Sequence, residues 1–311
     1  MKTPKHATIT EVGTRDGFQA EREFIPTETK IDIVNRLIAA GVPRIEYSSF
    51  VSPRAVPQLA DTVEVLDGVE RGRATLVALI ANAKGAERAA SAHPDELVVV
   101  LSASESHNIK NVNRKIDESL AEMDRIADIA GRAGIPVHGA IATAFGCPFE
   151  GDVPVAQVTR IARRLQAAGF AGLSLGDTTG MATPPIVEAT VKALQDEVPG
   201  LGLALHFHNT RGIGLCNVMT GLELGVTEYE SSIGGLGGCP FAPGATGNIC
   251  TEDLVYLLHE MGIGTGIDLE RLCEVARAVE DAVHHGLPGQ VMKAGHRLRL
   301  HDLGAVRTAT G

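Results

Sequence analysis

Short runs rich in β-branched residues alternate with longer stretches of helical period from one end of the chain to the other. The runs fall at 7–12, 44–50, 74–80, 96–102, 136–142, 172–175, 201–207 and 228–233. Between them lie amphipathic stretches such as 28–40, where Ile31, Val34, Leu37 and Ile38 recur at helical spacing and Gly41 supplies the stop. Glycines end comparable stretches at Gly134, Gly169, Gly225 and Gly262. Repeated βα units of this kind need a parallel sheet, and eight of them in about 260 residues are what a closed (β/α)8 barrel requires. The expected fold is therefore α/β, a TIM barrel with additional C-terminal helices or a tail. A doubly wound open sheet is the rival, but its first strand usually runs into a glycine-rich phosphate turn, and here that turn reads GTRDGFQ. The barrel is expected to occupy residues 1–285. Residues 286–311 have weak periodicity and read as a closing helix or a mobile tail.

Composition narrows the partners. A formal net charge of -10 argues against general affinity for nucleic acid or an anionic membrane, while leaving room for a local basic mouth. Hydrophobic residues at 44% and charged residues at 21%, without charge blocks, exclude global disorder. The five cysteines, Cys147, Cys216, Cys239, Cys250 and Cys273, form no short metal-binding pair and fit a reducing cytoplasm. The start MKTPKHATIT lacks an apolar signal region, and no run is long enough to span a bilayer, so a cytoplasmic protein is expected.

Function in a TIM barrel gathers where the strands end, which directs attention to a few polar residues. The first strand ends in Arg15-Asp16, the second holds Glu46 and runs into Ser48-Ser49, and the sixth ends near Asp177. The seventh carries His206 and His208, which strand alternation places on one face. With Asp16 and the side-chain oxygen of Asn248 they make a set of two nitrogens and two oxygens, suited to Mg, Mn, Co or Zn. Arg15 reads either as half of a surface ion pair or as a fixed cation that stabilises an oxyanion. Glu46 and Asp177 read either as helix-capping carboxylates or as groups that orient Arg15 or a metal-bound histidine.

The segment 231–248, SSIGGLGGCPFAPGATGN, is glycine-rich with two prolines and a single cysteine. Such a composition reads as a long loop, in a barrel usually a lid. Cys239, flanked by Gly238 and Pro240, is then placed to trade a proton with a substrate under it.

At these residues the chain resembles the 3-hydroxy-3-methylglutaryl-CoA lyase family of TIM-barrel metallolyases. EVGTRDGFQAE, IEYSSFVSPRAVPQLAD, FGCPFEG, LSLGDTTGMATP, HFHNTRG and GGLGGCPFAPGATGNICTEDLVYLL carry the likeness, in order, from about Thr8 to Leu272. The resemblance implies a retro-Claisen lyase that cleaves a short 3-hydroxyacyl-CoA. It implies a divalent metal, Mg2+ or Mn2+, held by Asp16, His206, His208 and Asn248, and no organic cofactor. Arg15 corresponds to the enolate-stabilising arginine and Cys239 to the loop cysteine. Glu46 and Asp177 match acidic residues important for activity, His206 assists proton transfer, and Gln19 and Ser49, with Arg15, match positions near the acyl group. A homodimer or higher homo-oligomer, acting on a small acyl-CoA and on neither nucleic acid nor membrane, is also implied. The family's Asp-Thr-Tyr after the second histidine is replaced by Asn209-Thr210-Arg211, Phe18 stands where Leu is common, and Tyr47 stands beside Glu46. These departures bear on the acyl substrate, for which citramalyl-CoA or another 3-hydroxyacyl-CoA is an alternative. A Claisen-type synthase is favoured only by Asn209, and a non-catalytic barrel would not need all four ligands.

Overall fold

Eight strands, β1 Thr8–Glu11, β2 Arg44–Ser49, β3 Thr75–Ile80, β4 Glu96–Ser102, β5 Val137–Ala142, β6 Gly172–Asp177, β7 Gly202–Phe207 and β8 Glu228–Ser231, pair in chain order. All are parallel, and β8 pairs with β1 to close the barrel, as the alternation of elements predicts. A computed structural model describes residues 3–238 and 247–300. The β6 strand runs two residues past the apolar pattern, since Gly176 and Asp177 still pair with His206 and Phe207. The last strand stops two residues short, because the chain turns into a 3-10 turn at Ile233–Gly235.

The first long helix covers Thr27–Ala39, one residue upstream of the predicted stretch, with Ile33, Val34 and Leu37 buried. Glycines 41, 134, 169, 225 and 262 all take positive φ, the conformation a helix stop demands. Among the described residues no helix is long and apolar enough to cross a membrane.

The hydrophobic core is the shell between strands and helices. Ile9, Ile45, Leu76, Leu97, Val99, Ile141, Leu173, Leu205 and Tyr229 point outward from the strands into this shell and pack against helix residues such as Leu37, Ile126, Ile161 and Leu254. Each such buried side chain contributes about 1.5–3 kcal/mol by leaving water. The barrel interior is different. Its inward positions carry Arg44, Glu46, Glu96, His138, Ala140, Ser174, His206, Glu228 and Glu230 beside Val98 and Val100. Charged and small residues here replace the branched apolar layers that usually fill a TIM barrel, and they leave room for a cavity at the carboxyl end.

After the helix Leu269–Val283 the chain crosses back over the base of the β8 loop. Gly289 N donates to Gly234 O at 3.2 Å, and Val291 N donates to Asp253 Oδ1 at 2.7 Å. Gly234 has φ +63, and a Cβ there would lie 2.3 Å from Leu287 Cδ1, so only glycine admits this crossing. The short helix Val291–Ala294 follows, with Val291 and Met292 buried.

Candidate active site

Arg15 and Asp16 sit on a π-helical turn, Gly13–Gly17, that follows β1, a rare turn type which concentrates at functional sites. The turn directs both side chains over the open end of the barrel. Arg15 Nη1 donates to Asp16 Oδ1 at 2.7 Å, and Arg15 Nε donates to Glu46 Oε1. Burial alone would lower the arginine's proton affinity, but the two carboxylates outweigh it, so the guanidinium stays charged. The same balance runs in reverse at Asp16. Burial would raise its carboxyl, yet Arg15, the two imidazoles and the Asn248 amide hold it at about 2.

His206 and His208 project from the end of β7, with Nε2 of each ring 3.2 Å from Nε2 of the other. Their ring nitrogens and an Asp16 oxygen all lie within 4.8 Å of one another, close enough to share one ion. Asn248 reaches the same point from a distant stretch of sequence. The returning loop pairs with the end of β7, Ile249 N donating to Phe207 O at 3.0 Å and Asn209 N to Gly247 O at 3.1 Å. Asn248 Nδ2 then donates to Asp16 Oδ2 at 2.8 Å and to Leu236 O at 2.9 Å.

A divalent ion fits this set. Asn248 Oδ1 is buried and has no hydrogen-bond partner among the described residues. A buried carbonyl oxygen in that condition costs about 1–3 kcal/mol unless something polar meets it. Beside it, Gly237 has φ +103, and a Cβ there would crowd Asn248 Nδ2 at 2.7 Å and Asp16 Oδ2 at 3.1 Å. A carboxylate and two imidazoles thus converge where a side chain is excluded, with the Asn248 amide in contact with Asp16, a mixed nitrogen and oxygen set of intermediate hardness.

A cavity of about 440 Å3 opens beside the set, lined by Arg15, Asp16, Gln19, Glu46, His206 and His208 at one end. Val98, Val100 and Ala140 form an apolar wall, and Asn82, Asn111 and Asn113 bring amides to it. Gln19 Nε2 donates to Asp16 Oδ1 at 3.4 Å, which places Gln19 at the edge of the ligand set.

Two candidates lie off this cavity. Asp177 Oδ1 accepts the amides of Met181 and Ala182 at 2.7 and 2.9 Å, tying down the loop after β6, and burial pushes its carboxyl up to about 7. Ser49 is buried at the end of β2, its backbone oxygen accepting from Thr62 Oγ1. A register shift in β2 between Glu46 and Ser48 interrupts the alternation there, and Ser48 Oγ meets Thr62 Oγ1 at 2.8 Å. Cys239 lies outside the described residues.

One acid of the site escaped the reading of strand ends. Glu230 on β8 is the register partner of His206, and its Oε2 lies 3.0 Å from His206 Nδ1. Its only signal in the sequence is its phase, since EYES places Glu228 and Glu230 on one face of a strand.

Comparison with known proteins points to one family. A family model described as HMGL-like matches residues 6–279. The hydroxymethylglutaryl-CoA lyase YngG of Bacillus subtilis (strain 168) is 44% identical over 93% of this chain and 97% of its own. The mitochondrial hydroxymethylglutaryl-CoA lyase of Bos taurus is 42% identical over 95% of this chain and 91% of its own. An HMG-CoA lyase from Acinetobacter baumannii, solved in complex with coenzyme A and 3-methylmalate, superposes with a TM-score of 0.92 at 44% identity, covering 96% of this chain and 98% of that one.

Proposed function

Since the chain belongs to the HMGL-like family, we propose that it is a metal-dependent carbon–carbon lyase that cleaves 3-hydroxy-3-methylglutaryl-CoA to acetyl-CoA and acetoacetate. The observation that carries this reading is the meeting of Asp16, His206 and His208 beside Arg15 at the head of the cavity, with the Asn248 amide on Asp16.

In the reaction the C3 hydroxyl loses its proton, its electron pair becomes the ketone, and the C2–C3 bond breaks. The pair from that bond passes to C2 as the acetyl-CoA enolate, which is then protonated. Mg2+ or Mn2+, held by Asp16, His206, His208 and Asn248, would supply the positive charge that lowers the pKa of the hydroxyl and fixes it in the site. Arg15, permanently charged and clamped between Glu46 and Asp16, is poised to take up enolate charge without having to reorganise. The apolar wall of Val98, Val100 and Ala140 keeps water from the enolate. Gln19 borders the acyl end, and the asparagines at 82, 111 and 113 provide uncharged hydrogen bonds for the rest of the thioester. Cys239 delivers the proton to C2, a role that rests on its place in the glycine-rich segment alone. Asp177 serves by holding the loop after β6, and Ser49 by bonding Thr62 at the end of β2. A reducing cytoplasm suits the free thiols of Cys147, Cys216, Cys250 and Cys273.

Purified protein given Mg2+ and 3-hydroxy-3-methylglutaryl-CoA should release acetyl-CoA and acetoacetate in equal amounts. Protein stripped with a chelator should lose that activity and recover it on adding Mg2+ or Mn2+. Turnover of citramalyl-CoA alone would reassign the substrate, and full activity of the stripped protein would overturn the reading.

A further inference from the structure

Below the ligand set the barrel interior holds a charged cluster that the cleavage reaction does not use. Arg44, at the foot of β2, pairs with Glu96 on β4 at 2.5 Å, and His138 on β5 comes within 3.5 Å of the same Glu96 oxygen. Glu228 and Glu230 share the inward face of β8, so this cluster runs upward from the barrel floor to the level of His206. Glu230 is its upper end. The positive charge of Arg44 attracts it from beneath.

The contact of Glu230 with His206 is specific in direction. Its Oε2 meets Nδ1 at 3.0 Å, while Nε2 of the same ring faces His208 Nε2 at 3.2 Å within the ligand set. A neutral imidazole that donates Nδ1–H to a carboxylate presents a bare lone pair at Nε2, the form a metal needs. The other acids near the site are engaged elsewhere. Glu46 accepts from Arg15, and Asp177 Oδ1 is taken by two loop amides.

We propose that Glu230 is the positioning residue of the metal site, fixing the ring orientation and tautomer of His206 so that Nε2 is available to the ion. The proposal rests on the metal-dependent reading of the site. Glu230 touches neither substrate nor ion in this role; it acts through His206.

The test is a Mn2+ titration of chelator-stripped protein, read by the electron paramagnetic resonance signal of free Mn2+ and made without substrate. Wild type, Glu230→Gln and Glu230→Ala are compared. Glu230→Ala removes the acceptor and should weaken Mn2+ binding about 10- to 100-fold. Glu230→Gln keeps a carbonyl acceptor without the charge and should fall between. Thermal melts of the stripped proteins report folding separately, and should the alanine variant fail to fold, wild type against Glu230→Gln decides. Equal Mn2+ affinity in the folded proteins would overturn the positioning role and leave the lyase reading standing. Failure of wild type itself to bind Mn2+ would overturn both.

Discussion

Arg15 shows how a single side chain is prepared for its task. Two acceptors, Glu46 Oε1 and Asp16 Oδ1, hold the guanidinium over the barrel, and burial prevents water from screening it. A donor fixed in this way and aimed at developing charge is typically worth about 3 kcal/mol of barrier. Arg15→Met should therefore lower kcat by about 10²- to 10³-fold, while a Mn2+ titration still finds the site occupied; near-normal turnover would refute the assignment. Asp16, His206 and His208 were legible as ligand candidates because each stands where a β run ends, and strand alternation puts the two histidines on one side. Asn248 was legible only as part of a motif, since its approach depends on a loop that returns to pair with β7. Glu230 was not legible, because a glutamate in a four-residue strand reads as an ordinary solvated position until the register with β7 is known.

At the scale of elements, the base of the β8 loop is held by buried carboxylates. Glu11 Oε1 accepts from Gly13 N and Ile233 N at 2.7 and 2.8 Å, and Glu252 Oε2 accepts from Gly234 N at 3.0 Å. Burial, with added repulsion from Asp253 and Glu11, pushes Glu252 from the ordinary value of 4.5 to about 8. A carboxyl raised on folding binds a proton that the unfolded chain releases, so its contribution favours the fold below about 4.5 and is lost as pH climbs towards 8. Glu252→Gln cannot ionise. Its melting temperature, measured against wild type at pH 5, 6.5 and 8, should gain on the wild type as pH rises; parallel curves would show that Glu252 stays ionised throughout. The pattern of apolar runs disclosed the eight strands and the glycine helix stops, because both depend on local chemistry. It could not disclose the crossing of Leu287 and Gly289 over Gly234, which depends on elements more than fifty residues apart coming together.

Across the whole molecule, cohesion and chemistry occupy different spaces. Leu101 and Leu97 lie in the shell between strands and helices and are fully buried, whereas Val98 and Val100, their neighbours on β4, face the cavity. Leu101→Ala should cost about 2–5 kcal/mol in urea unfolding, the range for a truncated core leucine. Val98→Ala should cost clearly less, because its side chain borders open space, and should act instead on KM. Equal losses for the two would mean that the interior, too, is packed for stability.

The small residues inside the barrel therefore mark where the protein is free to change. A shell held together without its lumen tolerates new side chains at Ala140, Ser174 or Val98, and with them acids of other shapes, without any need to rebuild the scaffold. Related enzymes with different appetites are what such a division of labour would breed.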